Sequence, residues 1–105
     1  DMYMEGLTEF LTLYYLTKEH KECLDHRFTD YICQINKEYE IYANFWANLA
    51  TKIGVDELWK YYTRGGFTEL DQLLLKGIFD ASAEIVKKYG IKWKDLRDVL
   101  EGLSQ

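Results

Sequence analysis

Across 105 residues the chain contains no proline, while its apolar residues recur at intervals of three and four. Proline breaks a helix interior by removing a donor and clashing with the preceding turn. Without it, nothing forbids a helical pattern from running on once it has begun. The period-two alternation of a half-buried strand is missing. Together these features predict an all-α fold, a single-domain helical bundle of four to five helices.

The stripes place the elements. Met2 or Tyr3 with Leu7, Phe10, Leu11 and Tyr14 form the first. Leu24, Phe28, Tyr31, Ile35, Tyr39, Tyr42, Trp46, Leu49 and Ile53 form a longer one, predicting one long helix over about 22–53 that Gly54 ends as a left-handed cap. A short helix near 56–63 should turn Leu58, Trp59 and Tyr62 inward and leave Lys60 and Tyr61 to water. Thr68 and Asp71 have the spacing of a capping box, opening a helix that runs to Tyr89 and stops at Gly90. The last helix, about 93–103, carries Trp93, Leu96, Val99, Leu100 and Leu103.

Length adds a constraint. A domain of this size has a radius of gyration near 13 Å and a diameter of roughly 33 Å, whereas a helix of about 32 residues extends about 48 Å. Either the long helix breaks near Asn36, or a partner covers its protruding apolar end.

Apolar residues make up 48% and aromatics 16% of the chain, with 30% charged, a balance that excludes disorder and favours an ordinary packed core. No apolar run approaches the roughly 18 residues of a membrane span. The first residue is Asp1 rather than Met, as in a processed product or a fragment of a longer chain. Cys23 and Cys33, ten apart on one continuous helix, would stand about 15 Å from each other, beyond the reach of a disulfide. They therefore read as free thiols of a reducing, cytoplasmic protein. The net charge of −5 opposes general attraction to nucleic acid or anionic lipid.

Three segments invite a chemical reading. The run WKYYTRGGF (59–67) mixes rings, cations and an Arg-Gly-Gly triplet, but Gly65 and Gly66 fall where one helix must stop and Thr68 caps the next, so a turn explains them. Lys87, Lys88, Lys92, Lys94 and Arg97 form a basic cluster around Tyr89 and Trp93, diluted by Asp95 and Asp98. Lysines at the end of a helix also complement its dipole. His20, Cys23 and His26 have an H-x-x-C-x-x-H spacing. On a helix, ligands at i, i+3 and i+6 fan across about 120° and diverge. Only a turn there would let them converge on a metal, with Glu19, Glu22 or Asp25 as a fourth ligand.

No phosphate-cradling loop, nucleophile elbow or paired-cysteine zinc spacing occurs, and the chain has no Glu-x-x-His pair of the di-iron type. The expectation is a non-enzyme without cofactor. What the sequence does offer is surplus apolar surface. On the helix from 69 to 89, Leu70, Leu74, Gly77, Ile78, Ala81 and Ile85 line one side, while Leu75, Phe79 and Val86 project from nearly the other. Burial on two sides would follow, either at the bundle centre or against a partner. Gly77 and Ala81 would admit another helix closely, with Ala43, Ala47 and Ala50 as the obvious counterpart. Tyr39, Tyr42, Phe45 and Trp46 are the aromatic interface candidates, joined by Leu75, Phe79 and Val86.

The reading is a non-catalytic protein-protein interaction module, an adaptor, inhibitor or small assembly subunit, partnered by itself as a homodimer. Two alternatives are an apolar-ligand sensor or carrier with a Tyr- and Trp-lined cavity, and a nucleic-acid accessory protein using the basic cluster.

Overall fold

The computed structural model describes residues 2–25, 36–64, 68–90 and 93–104. In chain order the elements are α1 (Met2–Glu19), α2 (Glu22–Asp25), a 3-10 turn η1 (Lys37–Tyr39), α3 (Glu40–Ile53), α4 (Val55–Thr63), α5 (Glu69–Tyr89) and α6 (Leu96–Leu103). Every described element is helical, as the spacing predicts. The radius of gyration is 13.5 Å.

The caps explain where helices begin and end. Thr68 Oγ1 accepts from the Asp71 amide at 3.1 Å, and Asp71 Oδ2 accepts from the Thr68 amide at 3.2 Å, completing the capping box. Gly90 stops α5 in the left-handed conformation at φ 69°, where a side chain would be strained. Gly54 also has positive φ, 91°, but its ψ of 146° makes it an extended hinge into α4 rather than the left-handed cap expected. Asp95 caps α6 by accepting from the Arg97 amide at 2.9 Å, so that helix starts at Leu96 and Trp93 lies on the connection before it.

The segment read as one long helix is helical at both ends, as α2 and α3, and restarts at Asn36, where the length argument places a break. Asn36 is extended (φ −74°, ψ 115°) and its side chain accepts from the Glu38 amide. Its own amide donates to Glu9 Oε1 at 2.7 Å, tying the restart to α1. Phe28, Tyr31 and Ile35 lie outside the described residues, as do Gly65, Gly66 and Phe67.

Packing is densest between α1 and α3, and a glycine is the reason. A Cβ at Gly6 would collide with the Tyr42 Cβ and come within 2.9 Å of the Tyr42 carbonyl carbon and 3.1 Å of the Ala43 amide nitrogen. Ala43, Ala47 and Ala50 are all buried along this seam. The alanine stripe therefore serves α1, and the expected pairing with Gly77 does not occur: among the described residues, nothing outside the helix's own turns lies within 4 Å of a Cβ placed at Gly77. Trp46 is fully buried, and its indole N–H donates to the Tyr3 carbonyl at 2.7 Å. Helix α6 closes the core with Leu96, Val99 and Leu100. Asn48 fixes the approach to it by accepting from the Lys94 amide and donating to the Lys94 carbonyl, both at 3.2 Å.

Two expectations need correction. Trp59 is 42% exposed, since α4 buries Val55 and Leu58 and a nine-residue helix has only one such face. Cys23 is buried and disulfide-bonded rather than free. The free-thiol reading assumed a continuous helix, and α2 ends at Asp25. Cys33, the chain's only other cysteine, lies outside the described residues.

Candidate interaction surface

Helix α5 is the longest element and the least embedded. None of the broad helix-to-helix contacts among the described residues involves it. Among its described side chains one large apolar group is buried. Phe79, 8% exposed, enters an aromatic box with ring-centroid distances of 5.2 Å to Tyr3, Tyr42 and Phe45 and 5.4 Å to Trp93. The contacts with Tyr3 and Phe45 are edge-to-face and that with Tyr42 is stacked, geometries that each add about 0.5–1.5 kcal/mol beyond area burial. Leu75 and Val86, one turn before and two turns after Phe79, are half-buried on the same side. Asp80 adds a polar tether, accepting from the Tyr3 hydroxyl at 3.5 Å. Burial, with the Asp80 carboxylate and Tyr42 behind it, raises the Tyr3 hydroxyl above its ordinary value of 10.0.

The sequence-derived interface candidates thus sit inside the monomer. Phe45 and Trp46 are buried, and Tyr39 and Tyr42 are half-buried beside them. The other apolar side of α5 faces solvent. Leu73 (66% exposed), Leu74 (59%), Ile78, Ile85 and Tyr89 (65%) are all at least half exposed, with Gly77 and Ala81 open among them. At 100° per residue, Leu74, Ile78, Ala81 and Ile85 lie within one sector of about 60°, turned about 120° away from Phe79. Tyr89 borders this sector, whereas Leu73 stands about 100° round the helix from Leu74, so the four large side chains that share the side present on the order of 400 Å², within the range of the largest patch on a monomer.

A groove adjoins the N-terminal half of this stripe. Leu49 and Ile53 of α3, Tyr61 of α4 and Leu74 of α5 line it over the buried Trp46 and Leu58, with the Asp71 carboxylate among its walls and a volume of about 230 Å³. Ile53 and Tyr61 are exposed, so the apolar surface continues from α5 across the groove.

The remaining candidates are dispersed. Lys87 and Lys88 occupy the last turn of α5, and the Lys88 ammonium stands 5.4 Å from the Tyr89 ring centroid. Arg97 is 3.7 Å from Asp98 and 3.5 Å from Glu101. Lys94 is exposed on the connection to α6, and Lys92 lies outside the described residues. At the H-x-x-C-x-x-H run, His20 Nδ1 is 3.3 Å from Glu22 Oε1, the Cys23 sulfur is committed to its disulfide, and His26 lies outside the described residues. Among the described residues no group of three metal-ligating side chains converges, and no helix is long and apolar enough to cross a membrane.

No protein-family model, curated protein or solved structure matches the chain.

Proposed function

We propose that this chain is a non-catalytic helical interaction module that acts by self-association, an adaptor, inhibitor or small assembly subunit whose working surface is the outer face of α5. The observation that carries the reading is that a 21-residue helix buries, among its described side chains, one large apolar group and leaves Leu74, Ile78, Ile85 and Tyr89 exposed along one side. Isolated surface hydrophobics need no explanation, but a contiguous stripe on an otherwise well-packed domain is the signature of a surface covered in use. The pocket reading is weaker, because the groove holds about 230 Å³, below the roughly 300–1,000 Å³ of small-molecule sites. The nucleic-acid reading loses strength with Arg97, which lies among carboxylates. The disulfide at Cys23 weighs against the cytoplasmic expectation, since oxidising compartments are where such bonds persist.

Native mass spectrometry of the wild type beside Ile78→Glu tests the reading. A multimer in the wild type that Ile78→Glu converts to a monomer of unchanged helicity is expected. A wild type that is monomeric at every concentration, or an Ile78→Glu multimer as stable as wild type, would overturn it.

A further inference from the structure

The occupant of the α5 face can be specified from its own pattern, resting on the self-association reading above. The helix carries an acid, Asp71, in its first turn and two bases, Lys87 and Lys88, in its last. A parallel second copy would set lysines against lysines, acid against acid, and align the helix dipoles. An antiparallel copy reverses all three, bringing the basic end of each helix to the acidic end of the other and opposing the dipoles. The small residues agree. In a two-fold antiparallel pairing that places Leu74 opposite Ile85, Ile78 falls opposite Ala81 and Gly77 opposite Ser82. At the crossing Ile78 then meets the smaller Ala81, with Gly77 and Ser82 leaving room beside them. Among the described residues nothing fills the space over Gly77, so a second helix can approach there.

The same register brings the end of the partner helix to the groove. It sets Lys88 of one copy opposite Asp71 of the other, and Tyr89, 65% exposed at the last position of α5, one residue further along, beside the groove wall that Asp71 and Leu74 form. The groove supplies an apolar slot for a ring, walled by Leu49, Ile53, Leu74 and Leu75, and the amphipathic ring of tyrosine suits such a seat at an interface. An interface of ordinary size needs about 800 Å² per partner. The stripe of about 400 Å² supplies half of that figure, and the groove walls with Ile53 and Tyr61 supply further apolar surface without recruiting the buried core.

We infer that a second copy of this chain covers α5, running antiparallel to it about a two-fold axis, with the partner's Tyr89 seated in the groove between α3, α4 and α5. The contact is isologous, so each groove receives one tyrosine and the assembly closes at two copies.

Engineered cysteines test the geometry on the intact, disulfide-bonded chain. Leu74→Cys and Ile85→Cys alter exposed positions, so the fold should be retained. In the antiparallel pair each residue lies about 16 Å along the axis from its own copy, too far for a disulfide, but opposite the other. Each variant alone should therefore remain unlinked under oxidant, and an equimolar mixture should give a covalent heterodimer. Efficient linking of Ile85→Cys alone would overturn the orientation and leave self-association standing. A dimer by sedimentation that never cross-links in the mixture would overturn the placement on α5. A wild-type monomer by sedimentation would remove both this inference and the reading beneath it. For the groove, Tyr89→Ala should weaken dimerisation about tenfold or more and Tyr89→Phe by less, whereas an unchanged dissociation constant for Tyr89→Ala would overturn the seat assigned to Tyr89.

Discussion

Gly6 and Gly77 both interrupt helices, yet they face opposite worlds. At Gly6 the backbone of α3 fills the place a side chain would take, and at Gly77 nothing lies within 4 Å. Mid-helix glycine costs about 1 kcal/mol against alanine in either place. Only at Gly6 does the monomer contain the close approach that offsets the cost. The contrast extends to the helices themselves, since α1 buries seven residues whereas α5 hangs on Phe79. On the self-association proposed above, Gly77 lies on the surface that the second copy completes.

The comparison can be broken from either side. Phe79→Ala should have the largest effect, costing about 3–5 kcal/mol by emptying the aromatic box. Because α5 has no other broad attachment among the described residues, amide exchange of residues 71–89 should rise far more than that of α1 or α3. Uniform loss of protection would contradict the single-fastener picture. Gly6→Ala should destabilise by about 3 kcal/mol, since the added methyl meets α3 backbone that cannot move aside. A thermal midpoint equal to wild type would show that α1 and α3 can separate without cost.

Gly77→Ala should do two opposite things. The monomer should gain up to about 1 kcal/mol from helix propensity, read by denaturant unfolding at low concentration, while self-association weakens as the methyl fills the crossing point. Stabilisation with unchanged association would remove Gly77 from the interface. A smaller effect concerns the tether between α1 and α5. The Tyr3 hydroxyl titrates above 10.0 in the folded chain, so the folded state keeps a proton that the unfolded state releases. Its contribution is fully present below pH 10 and is lost as the pH rises through and beyond that value. Tyr3→Phe should flatten this part of the stability profile, and a wild-type profile already flat there would refute the tether.

Local chemistry was the legible part of this fold. The Thr68 and Asp71 capping box and the Gly90 stop depend on neighbours in sequence, and each stands where the sequence places it; the restart at Asn36 was one of two outcomes of a length argument, and it is held by the remote Glu9. What sequence cannot rank is two apolar faces of one helix. Phe79 with Leu75 and Val86 forms one, Leu74 with Ile78 and Ile85 the other, and both satisfy helical spacing. Which is buried depends on Tyr3, Tyr42, Phe45 and Trp93, drawn from three separate regions of the chain. The interface candidates consequently fell on the inner face. Gly6 escaped notice for a related reason, because its neighbour Tyr42 is remote in sequence. Cys23 was misread through a local inference, since the free-thiol reading assumed a helix that runs on past Asp25, where α2 ends.

Residue-resolved amide exchange of the wild type across a dilution series tests the central claim most directly, because it reads both helices in one sample. The account predicts that protection along the outer face of α5, from Leu73 to Tyr89, rises with protein concentration while that of α1 and α3 stays constant. Protection of α5 that is independent of concentration, in a chain that remains monomeric throughout, would contradict it.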